Sequence, residues 1–422
     1  MAAFMRESAA LLPGATFQTE RLLAPEQALV AYLSRLEFER PKIETVTIDG
    51  AFGRVLARDA VADDAYPSHP RSTMDGFAVV SASGAMQRIV GEIRMGHAPP
   101  RAIVPGEALR IPTGGALPDG ADAVVPIEDV KVDGDAMEIV EAVEAGDNVT
   151  PRGADMQPGE RALRAGRRLG GPELAVLATI GVVDVPVYSR PVVAIASTGD
   201  ELIDPSGKPG IGQVRDSNRY AIAGALTALG CAPLQLPRAH DTRESLEATL
   251  REGLARADAV ILTGGSSVGE RDLTPDAIDA LGKPGVIVHG LRVKPGKPTV
   301  LAAIGAKPVI GLPGNPASSL MILEAIVAPV FVALTGATPH IPLSYAATAA
   351  VDFKAREGWT WYVPAALERD PARGLLATPL PLRSSHTSLL ARAHGYVVLG
   401  EMNSRIAAGD RVVVHPFSSG GR

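Results

Sequence analysis

Three glycine-rich segments in the second half of the chain carry residue types that handle anions. In AVILTGGSSVGERD an apolar run from Ala259 to Thr263 leads into Gly264, Gly265, Ser267 and Gly269 before Asp272. Glycine permits positive φ and close backbone approach, so successive amides in such a loop can point at one anion. The place for it is the carboxyl end of a strand, where open α/β sheets hold ligands. Gly264, Gly265, Ser267 and Gly269 are therefore candidate binding residues, and Asp272 could hold a cation beside the anion. A tight strand-to-helix turn needs the same glycines, so this motif alone leaves both readings open.

The second segment, STGDEL, follows the apolar run VVAIA directly. Thr198 supplies a hydroxyl and Gly199 a sharp turn, while Asp200 and Glu201 bring two carboxylates suited to Mg²⁺ or to proton transfer. A helix start with acidic residues placed for its dipole would look the same. Downstream, Asp216, Ser217 and Asn218 precede an apolar helical pattern, and capping is the expected role for at least one of them. The third segment joins RVKPGKPTV to VIGLPGNPASSL. Lys294 and Lys297 flank a Pro-Gly turn and could neutralise an oxyanion, unless they are ordinary solvated lysines. Pro313 and Gly314 shape the following turn, and Asn315 can bond to neighbouring backbone ahead of a helix.

Two earlier strings, YPSHPRSTMDGFAVV and IPTGGALPDGADAVVPIEDV, hold Asp75, Thr113, Asp122 and Glu128 among turn residues. Read alone they are hairpins. His69 has no neighbours at transition-metal spacing, which excludes a zinc site there.

The elements needed to hold these loops are legible as patterns. Residues 25–38 space Ala28, Leu29, Tyr32, Leu33 and Leu36 at helical intervals after Pro25. From about 48 to 150 short β-prone runs (ALRIP, DAVVPI, AMEIV) alternate with PDG, GDG and GDN turns, and PELAVLATIG then reads as a helix between Pro172 and Gly181. Between Val192 and about Gly336 strands and helices alternate as VVAIAS, NRYAIAGALTAL, PLQL, ESLEATLREGLARA, AVILT, DAIDAL and PVIGL. That order predicts a three-layer α/β domain. Leu246, Leu250 and Leu254 give one helix an apolar stripe, with Glu247 and Arg251 expected to face water. After Pro339 strand-like runs return and predict a small β domain.

Composition narrows the function classes. With 422 residues, 46% hydrophobic and 21% charged, the chain can bury several cores. A net charge of −6 gives no global basic field for nucleic acid or an anionic membrane. Cys231 is the single cysteine, which excludes a disulfide framework and points to a reducing cytoplasm. The longest apolar stretch, from Met321 to Ala337, contains Glu324 and Pro329, so no membrane span is expected.

Taken together, STMDGFAV, PTGGALPDGADAVV, RGADMQPGE, VAIASTGDEL, DSNR, GGSSVGERD, KPGKP and LPGNPAS, in this order over about 67–319, resemble the molybdopterin molybdenumtransferase family, to which the E domain of gephyrin belongs. The resemblance implies a multidomain α/β plus β fold with a central three-layer α/β molybdopterin-binding domain, an inserted β domain and a small C-terminal β domain. Its boundaries would be 1–60 with 156–189 for an extended helical or linker domain, then 61–155, 190–338 and 339–422. It also implies transfer of molybdate into adenylylated molybdopterin with release of AMP, Mg²⁺ dependence, and cytoplasmic location. Catalytic roles would fall on Asp75, Asp155, Glu201 and Asp272, with Glu201 and Asp272 on the metal or on water activation, Asp75 on the partner-subunit side, and Asp155 and Thr113 at the rim. The implied assembly is a homodimer whose site lies between one subunit's α/β domain and the other's β domain. Molybdopterin adenylyltransferase and acceptor molybdoenzymes are the implied protein partners. Alternatives are the adenylyltransferase itself, whose fold resembles 190–336 alone, and a non-catalytic pterin-binding scaffold. The chain departs from the family pattern at Thr150 and Ala154, and at GWTWYVPA, which lacks the usual Gly-Arg.

Overall fold

The computed structural model describes residues 22–264, 273–339, 343–381 and 387–418. Its described residues form two compact units, one of 45–52 and 58–186 and one of 22–44, 53–57 and 187–418. Helix α1 spans Pro25–Leu33, shorter than the predicted 25–38. The Ser34 hydroxyl donates to the Ala31 carbonyl at 2.9 Å, taking up one of the carbonyls left open at the helix end.

The smaller unit is built on a six-stranded sheet made of β1 (Gly76–Val79), β2 (Met86–Glu92), β3 (Glu107–Ile111), β4 (Ala123–Pro126), β5 (Val130–Asp133) and β6 (Ala136–Ile139). The strands lie in the order β4-β1-β3-β2-β6-β5. The central strand β1 is buried along its whole length, with Phe77 and Val79 in one apolar cluster and Ala78 in the other. Such a doubly covered strand needs apolar residues at every position, as GFAV supplies. Helix α2 (Gly171–Thr179) follows, its first turn closed by the Glu173 carboxylate accepting from the Gly170 amide at 2.9 Å.

The larger unit contains the predicted three-layer domain. Strands β7 (Val192–Ser197), β8 (Ala232–Gln235), β9 (Ala259–Thr263), β10 (Pro284–His289), β12 (Val300–Ile304) and β13 (Lys307–Leu312) lie in the order β8-β7-β9-β13-β12-β10; β11 (Val293–Lys294) belongs to another sheet. The first four in that order are parallel, while β12 and β10 add antiparallel neighbours that the alternating pattern did not announce. Helix α3 (Asn218–Ala228) packs Ile222 and Leu226 with Val193 and Ile195, whereas α4 (Arg243–Arg256) packs Leu246 and Leu250 with Ala194 and Ala196. The alternate side chains of β7 therefore point to opposite helical layers. The chain leaves β7 through α3 to one neighbour and returns through α4 to the other, so the strand order reverses between β7 and β9. In α4 Arg251 faces water as expected, but Glu247 is only 18% exposed along its side chain. Arg243 and Arg251 both reach it at 2.8 Å and cover it with their stems.

Helix α5 (Leu273–Asp279) and the helical run of α6 (Pro316–Ile322), a π segment (Leu323–Val327) and α7 (Ala328–Leu334) complete the layers. The run Pro316–Leu334 is long and apolar enough to cross a membrane, with a mean hydropathy of 2.1 over its most apolar 18 residues, yet 67% of that window is buried inside the protein. Met321, Ile322, Val327, Val330 and Phe331 spend that apolarity on the core that also takes Tyr32 of α1 and Cys231. Tyr32 donates its hydroxyl to the Ala302 carbonyl at 2.7 Å, and burial pushes its ionisation far above the usual tyrosine range.

The terminal β region closes into a barrel from β14 (Tyr345–Ala349), β15 (Thr360–Asp370), β16 (Gly374–Pro379), β17 (Gly395–Leu399) and β18 (Arg411–Pro416), with α8 (Thr387–Arg392) between β16 and β17. The long strand β15 pairs with β16 through its second half and with β17 through its first, which closes the ring. It also pairs with β11, so the strand that leads into KPGKP is an extra member of this sheet.

Candidate functional site

The ends of β7, β9 and β13 bring three of the sequence segments together. Thr198 and Gly264 are adjacent, because the Thr198 amide donates to the Thr263 carbonyl at 2.7 Å and the Gly264 amide to the Leu312 carbonyl at 3.2 Å. At Gly264 φ is +89°, and a Cβ there would stand 2.3 Å from the Thr198 carbonyl oxygen and 3.7 Å from the Thr198 Cβ. Gly314 in turn lies so close that its own added Cβ would touch the Gly264 Cα at 3.4 Å. Glycine at 264 thus lets three strand-end backbones crowd at the point where the strand order reverses, the place where an open α/β sheet leaves room for a ligand.

Around this point several polar groups are fixed, and two oxygens find no hydrogen-bond partner among the described residues. The buried Thr198 Oγ1 and Asn218 Oδ1 make no hydrogen bond among the described residues. Asn218 is oriented by its Nδ2, which donates to the Gly314 carbonyl at 2.7 Å. A buried acceptor or hydroxyl left open costs free energy unless something satisfies it, so both are candidates for contact with a ligand. Asp216 is 6% exposed and accepts from Ser197 Oγ at 2.9 Å, and Thr263 Oγ1 lies 3.3 Å behind Ser197 Oγ. The expected capping function falls to Asp216, which the Arg219 amide approaches at 3.5 Å, whereas Ser217 makes no side-chain cap. The second role of the DSNR string, with Asn218 reaching across to the β13 turn, was hidden by that capping reading.

The acidic turn at Gly199 divides its carboxylates. Asp200 lies 2.7 Å from His240 Nδ1, and its amide donates to Asp241 at 3.2 Å. Exposed Glu201 folds back over Gly199, where its Oε2 would be 2.3 Å from an added Cβ. Next to this turn an open cavity of about 370 Å³ is lined by Leu202, Ile203, Asp204, Asp216, Arg219 and Arg238. Arg219 pairs with Asp204 at 3.2 Å and lies 5.0 Å over the Tyr220 ring, while Ser206 holds the Asp204 carboxyl below its usual range by hydrogen bonding. Arg219 and Arg238 are cationic groups that sequence reasoning did not single out.

The KPGKP loop reaches the same sheet edge because Val300 pairs with Gly311 at the end of β13. Lys297 contributes its carbonyl to the Leu291 amide at 2.8 Å. Lys294 places its ammonium 4.4 Å from the centroid of the Trp361 ring. Pro313 is buried and accepts from Ser319 Oγ, while Asn315 is exposed at the start of α6 and receives the amides of Ser318 and Ser319 through its carbonyl at 3.0 Å each.

In the other unit, Asp75 Oδ1 accepts both the amide of Thr113 at 2.7 Å and its hydroxyl at 2.9 Å. The backbone bond and then the hydroxyl bond hold this exposed carboxyl below the usual aspartate range. Asp155 is exposed, its amide donating to the Tyr66 carbonyl at 2.9 Å. Asp122 is a structural acceptor for the Ser81 amide and hydroxyl at 2.7 and 3.0 Å. Gly265, Ser267, Gly269 and Asp272 lie outside the described residues. No cluster of three His, Cys, Asp or Glu side chains forms a metal cage among the described residues.

The larger unit is thus an α/β domain with an anion-suited crevice at its switch point, attached to a small barrel. Comparison with known proteins gives that class its family. The MoeA N-terminal region (domain I and II) matches 23–181, the "Probable molybdopterin binding domain" matches 194–332, and the MoeA C-terminal region (domain IV) matches 346–417. The molybdopterin molybdenumtransferase of Bacillus subtilis is 33% identical over 370 residues, covering 84% of this chain and 85% of the relative. That of Synechocystis is 30% identical over 380 residues, covering 87% and 93%. A molybdopterin biosynthesis moeA protein solved from Pyrococcus horikosii superposes with a TM-score of 0.75 at 32% identity, over 94% of this chain and 99% of that one. The chain belongs to the molybdopterin molybdenumtransferase family.

Proposed function

We propose that this chain inserts molybdate into adenylylated molybdopterin, yielding molybdenum cofactor and AMP. The observation that carries the reading is the crevice at the ends of β7, β9 and β13, where open Thr198 Oγ1 and Asn218 Oδ1 meet the Gly264 and Gly314 backbones. The reaction breaks a phosphoanhydride and brings an oxyanion to a dithiolene, so the protein must hold phosphate and oxyanion charge in fixed positions. Thr198, Gly199, Gly264, Gly265, Ser267 and Gly269 are assigned to the phosphate side. Lys294 and Lys297 bring positive charge to the oxyanion, and Pro313, Gly314 and Asn315 line the crevice. Asp200 orients the Gly199 turn through His240 and Asp241.

Mg²⁺ suits this place because Glu201 offers exposed hard oxygen beside a phosphate site, the donor type that ion takes together with substrate oxygens. Glu201 and Asp272 would hold it, and the ion would supply charge neutralisation at the anhydride. Asp75, with Thr113 and Asp155, is assigned to the second subunit's contribution in a homodimer, with the domain boundaries 1–60 and 156–189, 61–155, 190–338 and 339–422. Location in the cytoplasm, with an adenylyltransferase as donor and molybdoenzymes as acceptors, completes the proposal. Family matches on both sides of the α/β domain favour it over an adenylyltransferase.

A turnover assay tests it. Consumption of adenylylated molybdopterin with AMP release that depends on molybdate is the expected result, whereas synthesis of the adenylylated pterin from ATP, or binding without turnover, would replace this reading. Subunit sharing is tested by mixing Asp75→Ala with Asp272→Ala protein. Recovered activity after subunit exchange supports the shared site, and no recovery removes it.

A further inference from the structure

We propose that Trp361 is a positioning residue: its indole face fixes the Lys294 ammonium at the mouth of the KPGKP loop and thereby sets affinity for the anionic substrate. The inference rests on the assignment of Lys294 to substrate charge made above. Lys294 and Trp361 are register partners on β11 and β15, so their side chains emerge side by side on one face of the sheet. The Lys294 ammonium stands 4.4 Å from the ring centroid. On its other edge Trp361 is paired with Leu399 of β17, which fixes the ring's backbone from both sides. The β11–β15 junction is further clamped, because the Thr360 amide donates to the Arg292 carbonyl at 3.2 Å and Arg292 Nε bonds Glu401 at 2.8 Å.

A lysine has four rotatable bonds, and an exposed one loses much freedom when an anion captures it. Resting on an aromatic face removes part of that freedom beforehand while leaving the ammonium N–H groups available, because the face attracts the charge without accepting a directed hydrogen bond. The ring does not sit there for its own polar group. Trp361 Nε1 is buried and makes no hydrogen bond among the described residues, an arrangement that costs free energy. This tryptophan lies in the GWTWYVPA stretch of the terminal barrel, so the barrel strand rather than the α/β domain supplies the surface on which the loop lysine rests.

The test is a double-mutant cycle on the full-length protein. Trp361→Leu should raise the KM for adenylylated molybdopterin roughly three- to tenfold while changing kcat less than twofold, and Trp361→Phe, which keeps an aromatic face, should restore most of the loss. In a Lys294→Met background Trp361→Leu should add almost nothing, since the partner it orients is gone. An equal loss in both backgrounds, or a Phe variant as poor as Leu while thermal melting shows both folded, overturns the proposal. A second readout does not need turnover. Trp359 and Trp361 are the two tryptophans, so in a Trp359→Phe protein the emission reports Trp361 alone, and Lys294→Met should shift it. No shift overturns the pairing, whereas a shift in that Trp359→Phe pair, found together with a wild-type protein that shows no transferase turnover, sinks the transferase reading and leaves the pairing standing.

Discussion

Gly264 packs directly against Thr198, so that a Cβ at 264 would stand 2.3 Å from the Thr198 carbonyl oxygen. Two loops separated by an entire βαβ crossover thus share one tight backbone contact at the residue whose hydroxyl has no hydrogen bond among the described residues. Gly264→Ala must take a left-handed φ of +89° and displace backbone at once. The expected cost is about 2–4 kcal/mol, read as a fall in melting temperature accompanied by lost ligand binding. A variant with wild-type melting and binding would show that this contact does not shape the crevice.

Glu201 makes a separate prediction because its carboxylate is exposed and the strand beneath it is independently packed. Glu201→Gln should leave the melting temperature within about 1 °C, as surface substitutions usually do. Its turnover should fall by roughly tenfold or more, and titrating Mg²⁺ into chelator-treated protein should rescue wild type at lower concentration than the variant. Equal Mg²⁺ requirements would remove Glu201 from the metal.

Lys297→Met removes charge from the KPGKP loop while keeping its length. Losing a charge-assisted contact typically costs about 1.5–3 kcal/mol, or roughly ten- to more than a hundredfold in affinity or rate. The molybdate or pterin requirement should rise by such a factor with little change in melting. The reverse outcome, unchanged kinetics with a large drop in melting temperature, would make Lys297 a structural residue.

The Asp75–Thr113 pair predicts a pH dependence confined to acid. Its hydrogen bonds depress the folded carboxyl below the ordinary aspartate value near 3.8, so the ionised form is favoured by folding. That contribution is fully present above the ordinary value and is lost as pH falls through the lower folded one. Wild type and Asp75→Asn should therefore differ in melting temperature near neutrality, and the gap should narrow steadily below about pH 4. A gap that stays constant down to pH 2.5 would mean that the carboxylate charge is not what Thr113 holds.

The residue order alone reveals a great deal here because the informative signals are local. Strand VVAIAS, the Leu246 and Leu250 stripe and the turn residues around PGKP and LPGNP each state their own conformation, since period, glycine and proline act over a few residues. The predicted strand-end loops and the terminal β region follow from them, as does the family resemblance. Other features depended on distance in space. DSNR reads locally as a helix start, yet Asn218 spans 96 residues to reach Gly314, and that partner exists only because α3 begins where β13 ends, at the same sheet edge. Glu247 occupies a polar stripe position but is covered by two arginine stems. Lys294 meets Trp361 only because β11 leaves the α/β sheet and joins the barrel. Periodicity fixes which face a side chain takes within its own element, but strand order and register decide what that face meets, and those are settled by burying every apolar face at once.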